Sequence, residues 1–235
     1  MGKLLNLNNP LMRGLTALAN VLLLSVCWVL FSIPVLTIGP ATAALYYGMQ
    51  KIVQGENISV FRCFLKSFRE NLKQGVVLTL IFGVAAALIW YDYLFSYIVE
   101  ESLGKILRIV FIVLAVVWLI MVSYTFPLQA LFQNSIRNTL KNAMLLSLIH
   151  LGKTVLLVLL HLIPVAVCLA LPELFTRLLP LWLFGAPGLI AFFSMLRMKK
   201  VWKALLEQAD PQTEPAEPQE EPAEPQEEPE EVPAE

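Results

Sequence analysis

The chain is short of the residues that do chemistry. It has two histidines, His150 and His161, eleven residues apart with no carboxylate at ligand spacing, and three cysteines. Cys27 and Cys168 lie in apolar runs and Cys63 in a basic stretch, with no C-x-x-C pair among them. Neither a disulfide framework nor a zinc site is indicated; the cysteines read as small buried hydrophobes and one ordinary thiol. The motifs H-E-x-x-H, G-x-S-x-G, G-x-x-x-x-G-K-S/T and G-x-G-x-x-G are all missing. The expectation is a protein that is not an enzyme and holds no cofactor or metal. An internal repeat of spans is missing too, which weakens a stand-alone transporter.

Acidic residues are scarce over most of the length. Of eighteen acids, twelve fall from Glu207 onward, which leaves six in residues 1–206 to face all seventeen lysines and arginines. The body is therefore +11 and the tail −12. A basic membrane body is drawn to the anionic cytoplasmic leaflet of a bilayer. Nucleic acid is not an expected partner, because no binding motif accompanies the charge.

What the chain does have is length of apolar run. Apolar residues make up 57% of it, above the roughly 45–50% of soluble domains. A bilayer crossing takes about 20 mostly apolar residues. Spans are expected at Leu15–Ile38, Val76–Val99, Ile106–Phe132, Val155–Leu171 and Leu181–Leu196. The first is too long for a signal-peptide apolar core, and more spans follow it. Pro34 should kink its end, and Gly39-Pro40 should break and restart the helix. Residues 41–53 are helical in composition but reach only about 20 Å, short of a core about 30 Å thick. They form either a thin crossing or a re-entrant helix sheltered by neighbours.

In residues 58–73, Phe61, Phe64, Leu65, Phe68 and Leu72 recur at three- and four-residue steps, with Arg62, Lys66, Arg69 and Lys73 on another face. This predicts either an amphipathic helix lying in the interface or a plain basic helix that sets topology. Trp90, Tyr91, Tyr93 and Tyr97 crowd the far end of the next span as an aromatic belt would. Residues 133–153 are polar and basic but helical in pattern, with ladders by four through Gln129, Gln133, Arg137 and Lys141 and through Asn134, Asn138 and Asn142. The predicted architecture is an all-α polytopic membrane helix bundle: five full spans plus one short helix, a cytoplasmic amphipathic helix, and a tail. The bundle takes residues 1–206. The tail, 207–235, repeats Ala-Glu-Pro-Gln-Glu-Glu-Pro twice and is expected to be disordered and polyproline-like.

Asp92 is the only acid inside a span, and His161 is a histidine in mid-span. Asp92 lies about 10 Å below the outer boundary, and such a residue is a functional candidate by default. It serves either a structural hydrogen bond or a pathway or partner. His161 is either a satisfied core residue or part of a polar pathway.

Several stretches together resemble the YesL-like family of Gram-positive bacterial membrane proteins, whose function is unassigned. They are Ile38-Gly39-Pro40-Ala41-Thr42-Ala43-Ala44-Leu45-Tyr46-Tyr47, and Phe61-x-x-Phe64-x-Lys66-Ser67-Phe68-x-x-Asn71-x-Lys73-Gln74-Gly75. Tyr91-Asp92, Phe126-Pro127-Leu128-Gln129-Ala130 and Asn138-Thr139-Leu140-Lys141-Asn142-Ala143 agree with them. The resemblance covers residues 3–203 and leaves out the acidic repeat. It implies an accessory role in carbohydrate (oligosaccharide) ABC import or utilisation, with sugar ABC permease subunits as partners. A stand-alone transporter and a membrane sensor or scaffold are the alternatives. From these readings the candidate functional residues are Gly39, Pro40, Tyr46, Tyr47, Arg62, Lys66, Phe68, Asn71, Asp92, Asn138, Lys141, Asn142 and His161.

Positive charge marks the cytoplasmic side. With 1–13, 51–73, 133–153 and 197–206 inside, fourteen lysines and arginines lie inside and three outside. This predicts a multi-pass protein of the bacterial cytoplasmic membrane with its N-terminus and tail in the cytoplasm. Single cysteines at Asn8, Asn57 and Ser102, in a background lacking Cys27, Cys63 and Cys168, test it. An impermeant maleimide applied to intact cells should label Ser102→Cys alone; labelling of Asn8→Cys as well would mean five crossings.

Overall fold

The computed structural model describes residues 10–209, and the expectations for residues 1–9 and for the Pro-Glu repeat lie outside them. Every regular element among the described residues is helical. The order is α1 (Pro10–Phe31), a 3₁₀ turn (Val35–Thr37), α2 (Ile38–Gln54), α3 (Val60–Phe95), α4 (Glu101–Leu131), α5 (Ile136–Ile149), α6 (Leu151–Ala170), α7 (Pro172–Arg177) and α8 (Leu179–Ala209). Five of them, α1, α3, α4, α6 and α8, are long and apolar enough to cross a membrane. The chain is an all-α, multi-pass integral membrane protein.

The short helix is the centre of the molecule. Twelve of the seventeen residues of α2 are buried, among them Gly39, Pro40, Ala41, Ala44, Tyr46 and Gly48. Small side chains let four neighbours, α1, α3, α4 and α8, close on it. Its start uses Pro40 in the first turn, where a missing N–H costs nothing. Its end is a Schellman closure: Gly55 takes φ 85°, its N–H bonds the Ile52 carbonyl, and the Glu56 N–H bonds the Lys51 carbonyl. Glycine is the residue that enters this left-handed conformation without strain.

The crossing of α2 with α3 is unusually close. A methyl group on Gly75 would lie 2.6 Å from the Pro40 nitrogen and 2.7 Å from its Cδ, and one on Gly39 would collide with Thr79 Oγ1 and the Gly75 carbonyl. Thr79 bridges the gap. Its Oγ1 accepts from the Gly39 N–H at 2.9 Å and donates to the Gly75 carbonyl at 2.8 Å. An orphan donor of the first turn of α2 is thereby satisfied where no water is at hand.

This contact corrects the reading of residues 58–73. They are not a separate helix in the interface. They are the first half of α3, one unbroken helix of 36 residues, about 54 Å long. Gly75 is not a break, because it serves as the seat of Pro40. Of the apolar stripe, Phe64 is buried and Leu65 and Phe68 are half-buried against the bundle, while Phe61 and Leu72 stay exposed; further along, Gly75, Leu78 and Phe82 face the bundle. Phe31 at the end of α1 packs on Phe64 and Phe68, with ring centroids at 5.3 and 5.0 Å. Arg62, Lys66, Arg69 and Lys73 stay exposed on the other side.

Side-chain pairings fix the run of the helices. Trp28 meets Thr42 and Leu24 meets Gly48, so α1 and α2 are antiparallel. Lys199 on α8 reaches the Val53 carbonyl at the end of α2, and Gly188 on α8 packs on Ser25 and Val21 of α1. Trp118 on α4 donates to the Phe82 carbonyl, and Gln129 donates to that of Asn71, so α4 returns along α3. The start of α1, the end of α2, the start of α3 and the end of α8 therefore share one end, the basic one. The α3–α4 turn lies at the other.

Among the described residues, α5 is a separate amphipathic helix. It buries Thr139, Ala143, Leu146 and Ser147, shows Arg137, Asn138, Lys141 and Asn142 on one side, and leaves Met144, Leu145, Leu148 and Ile149 exposed. Its N-cap Ser135 accepts from the Asn138 N–H. Helix α8 runs on to Ala209.

Gly75→Ala should lower stability by about 1–3 kcal/mol through overpacking. Thr79→Val should do the same by stranding the Gly39 N–H. Gly83 lies on the same helix with nothing within 4 Å of its added methyl, so Gly83→Ala should be neutral or slightly stabilising. Thermal unfolding of the detergent-solubilised protein separates the three; equal behaviour of Gly75→Ala and Gly83→Ala would contradict the packing argument.

Candidate functional site

A cleft of about 480 Å³ opens where α1, α2, α4, α6, α7 and α8 meet. Its wall is mainly apolar, with polar groups from four helices. Trp28 donates its Nε1–H to Thr42 Oγ1 at 3.0 Å, and Thr42 passes its own proton to the Ile38 carbonyl at 2.7 Å. The Nδ1 of His161 lies 2.8 Å from the Leu157 carbonyl. A carbonyl only accepts, so this contact calls for the proton on Nδ1. Trp182 stacks on Phe175 with centroids 5.7 Å apart, and its buried Nε1–H has no partner among the described residues. Tyr46 borders the cleft from α2 and faces Ser194 of α8.

Two prolines shape this wall. Pro164 lies inside α6 and Pro187 inside α8, and both line the cleft. A proline cannot donate to the carbonyl four residues back. The Leu160 and Leu183 carbonyls therefore lose their helical partners, and Leu183 also lines the cleft.

The basic end is built differently. Tyr124 and Thr154 share a hydroxyl–hydroxyl bond of 2.8 Å, and Thr154 Oγ1 also lies 2.8 Å from the Ser147 carbonyl. Gln74 Nε2 donates to the Asn134 carbonyl at 2.8 Å. These bonds tie α3, α4, α5 and α6 together. Lys199 donates to the Val53 carbonyl at 2.8 Å, which puts a cation at the C-terminus of α2, where the helix dipole favours one. Lys51 pairs with Glu56 at 2.6 Å. That hydrogen bond raises the Lys51 pKa above the ordinary lysine value, with partial burial opposing.

The sequence candidates divide accordingly. Gly39 and Pro40 are the packing seat of α2. Tyr46 and His161 come together at the cleft. Tyr47 lies under the Lys51 ammonium, 5.4 Å from the ring centroid. Phe68 belongs to the aromatic lock with Phe31. Asn71 bonds back to the Ser67 carbonyl at 2.9 Å while its own carbonyl accepts from Gln129. Arg62 and Lys66 are exposed, Lys66 in no more than a loose pair with Glu70 at 4.0 Å. Asn138, Lys141 and Asn142 lie exposed on α5, away from the cleft. Asp92 is half-buried on α3, its carboxylate making no hydrogen bond or ion pair among the described residues.

The residues the sequence did not single out are Trp28, Thr42, Trp182, Phe175, Thr79 and Lys199. For Trp182 the available signal was its place between Pro180 and the Gly185–Pro187–Gly188 cluster, a stretch where the helix is bound to leave gaps. Among the described residues no three His, Cys, Asp or Glu side chains gather as a metal site.

The outer half of the α3–α4 hairpin stands apart. Val84, Leu88, Trp90, Leu94, Ile109, Val113 and Val117 are exposed. A second cleft of about 390 Å³ runs between its two helices, lined by Trp90, Tyr93, Phe111 and Trp118 among others. At the turn, Arg108 lies 4.7 Å from the centroid of the Tyr97 ring, and the Tyr93 and Tyr97 hydroxyls meet at 2.9 Å.

The family described as "Protein of unknown function, DUF624" matches residues 21–93. That window holds the end of α1, all of α2 and almost all of α3, and so the Gly39–Gly75 crossing. The chain is 28% identical over 199 residues to the "Uncharacterized protein YteU" of Bacillus subtilis (strain 168), covering 82% of each chain. No solved structure matches it. Its similarities are thus to proteins of unknown function, which agrees with an integral membrane protein of unassigned activity.

Lys199→Met should loosen α8 from α2 and lower stability by about 1 kcal/mol, the net worth of one partly exposed charge-assisted bond. Lys203, whose pair with Glu207 at 3.6 Å is exposed, should be replaceable by Met with almost no loss. Melting midpoints of the two variants in one detergent check the difference.

Proposed function

We propose that the chain is a non-catalytic accessory subunit in the bacterial cytoplasmic membrane, of YesL-like kind, that serves carbohydrate ABC import by docking on a sugar permease. Its termini and basic end face the cytoplasm, where the anionic leaflet holds them. The observation that carries this reading is the outer half of the α3–α4 hairpin, which no other part of the described chain covers. Lipid tails solvate an apolar surface well, so exposure alone does not ask for a partner. The unpaired Asp92 carboxylate does, because an intramembrane acid is stabilised by a partner cation or donor. The cleft between α3 and α4, with Trp90 and Trp118 in its wall, gives a docking helix a recess to fill.

A sensor or scaffold would use the same surface. A stand-alone transporter fits less well, since Asp92 and His161 are few for that job, and they belong to different surfaces.

Deletion of the chain should slow growth on the relevant oligosaccharide and leave growth on glucose unchanged. Photo-crosslinkers placed through Leu88→Cys or Val113→Cys should capture a permease subunit in native membranes, while one at Leu159→Cys on α6 should not. Asp92→Asn should reduce uptake several-fold with unchanged protein level. Permease missing from the hairpin adducts, together with wild-type uptake in Asp92→Asn, would sink the proposal.

A further inference from the structure

We infer that the acidic tail of this chain, residues 210–235, docks on the basic face of α3 formed by Arg62, Lys66, Arg69 and Lys73. The tail lies outside the described residues, and its charge and length are those of the sequence. This goes beyond the accessory role and stands whether or not a permease partners the chain.

The face lacks counter-charge of its own. Four cations fall within residues 62–73, with Glu70 as the one acid among them, and all four are exposed. Lys66 has only the loose 4.0 Å pair with Glu70. Arg62, Arg69 and Lys73 pair with no acid among the described residues. Three other cations of the basic end are already engaged: Lys51 with Glu56, Lys199 with the Val53 carbonyl and Lys203 with Glu207.

The leaflet does not neutralise the whole face. Helix α3 is unbroken, so its basic half continues the line of its membrane-spanning half instead of turning to lie along the surface. From Lys73 to Arg62 the face runs about 17 Å, while a charged surface is felt over about 8 Å at physiological salt. A leaflet that meets Lys73 leaves the Arg62 end to another anion.

The tail is that anion by charge, by place and by reach. Residues 210–235 hold eleven acids and no lysine, arginine or histidine. The tail leaves α8 beside the near end of the face. Leu205 of α8 shares a small cleft with Phe132 and Asn134, and the Asn134 carbonyl accepts from Gln74, the residue after Lys73. A stretch of this length extends up to about 85 Å, several times the length of the face. The tether supplies an effective concentration in the millimolar range, so several exposed pairs, each weak alone, suffice together.

The test uses the unaltered full chain in nanodiscs of phosphatidylcholine and phosphatidylglycerol. A carbodiimide joins carboxylates to amines in direct contact, and peptide mapping locates the links. Tail glutamates should be joined to Lys66 and Lys73 at about 50 mM salt and several-fold less at about 500 mM. Mixed heavy- and light-isotope chains should show these links within one chain. A full-length variant with the ten glutamates from Glu214 to Glu235 replaced by glutamine gives a second readout. An acetylating ester should modify its Lys66 and Lys73 about threefold faster than in the unaltered chain, the factor one exposed ion pair is worth. Lys105, at the opposite end and paired with Glu101, should be unchanged. Tail links confined to Lys199, Lys200 and Lys203, on the helix the tail leaves, overturn the inference. So do links found only between chains, or equal acetylation rates. Links present in pure phosphatidylcholine discs and lost with phosphatidylglycerol would make the leaflet the occupant, and overturn it too.

Discussion

A backbone-to-backbone approach holds the molecule together. Where Gly39 and Pro40 of α2 meet Gly75 of α3, there is no room for a single Cβ on either glycine. The hydroxyl of Thr79 satisfies the Gly39 N–H there. That seat sets how far α2 penetrates. Its start lies level with Gly75, where the basic half of α3 gives way to the apolar half. A helix of seventeen residues, about 25 Å long, placed there runs back toward the basic end instead of on through the apolar half of α3. The rest follows from its position. Helix α1 turns at Phe31 and pairs antiparallel with α2, α8 lies along both, and Lys199 meets the exposed carbonyl end of α2.

Much of this was legible. The apolar runs located five spans, and Pro40 announced a fresh helix, although the corner comes earlier than expected: α1 ends at Phe31 and Gly39-Pro40 lies in the first turn of α2. The two-faced stretch 58–73 was seen as amphipathic, and its exposed face is the predicted one. What misled was its apolar face, which the protein shares: Phe64 is buried in the bundle while Phe61 and Leu72 remain exposed. A stripe of Phe and Leu at helical spacing reads the same against lipid as against a protein neighbour. Only the three-dimensional approach of Pro40 shows which. Gly75 had the same ambiguity: a glycine after a basic run reads as a break, although in a membrane bundle small residues most often mark a close crossing.

The cleft was half legible. His161 and Tyr46 stood out by type or by resemblance, but nothing in the sequence joined residues 115 positions apart. Trp182 hid among apolar neighbours, since a tryptophan in a span is ordinarily a belt or packing residue. Its significance is the absence of an acceptor within reach, which is a property of space and not of order. Asn138, Lys141 and Asn142 are the converse case. Their spacing by three and four is real, and it places them together on the exposed face of α5, where a polar ladder is what an interfacial helix requires.

The two ends of the bundle differ in how freely they can move, and this bears on what the molecule can do. At the basic end, α1 and α2 are locked by a glycine contact: Leu24 methyls would come within 2.8 Å of a Cβ on Gly48. Packed interfaces of this kind have one arrangement and do not deform gradually. At the opposite end, two proline-broken helices leave carbonyls free and a cleft open. A path from the cleft to the basic end would have to part α2 from α1 or α8, and so break the contacts that fix α2 in place. Substrate passage is then tied to loss of the central helix. The architecture favours a body that holds a ligand or a neighbour over one that opens alternately to two sides.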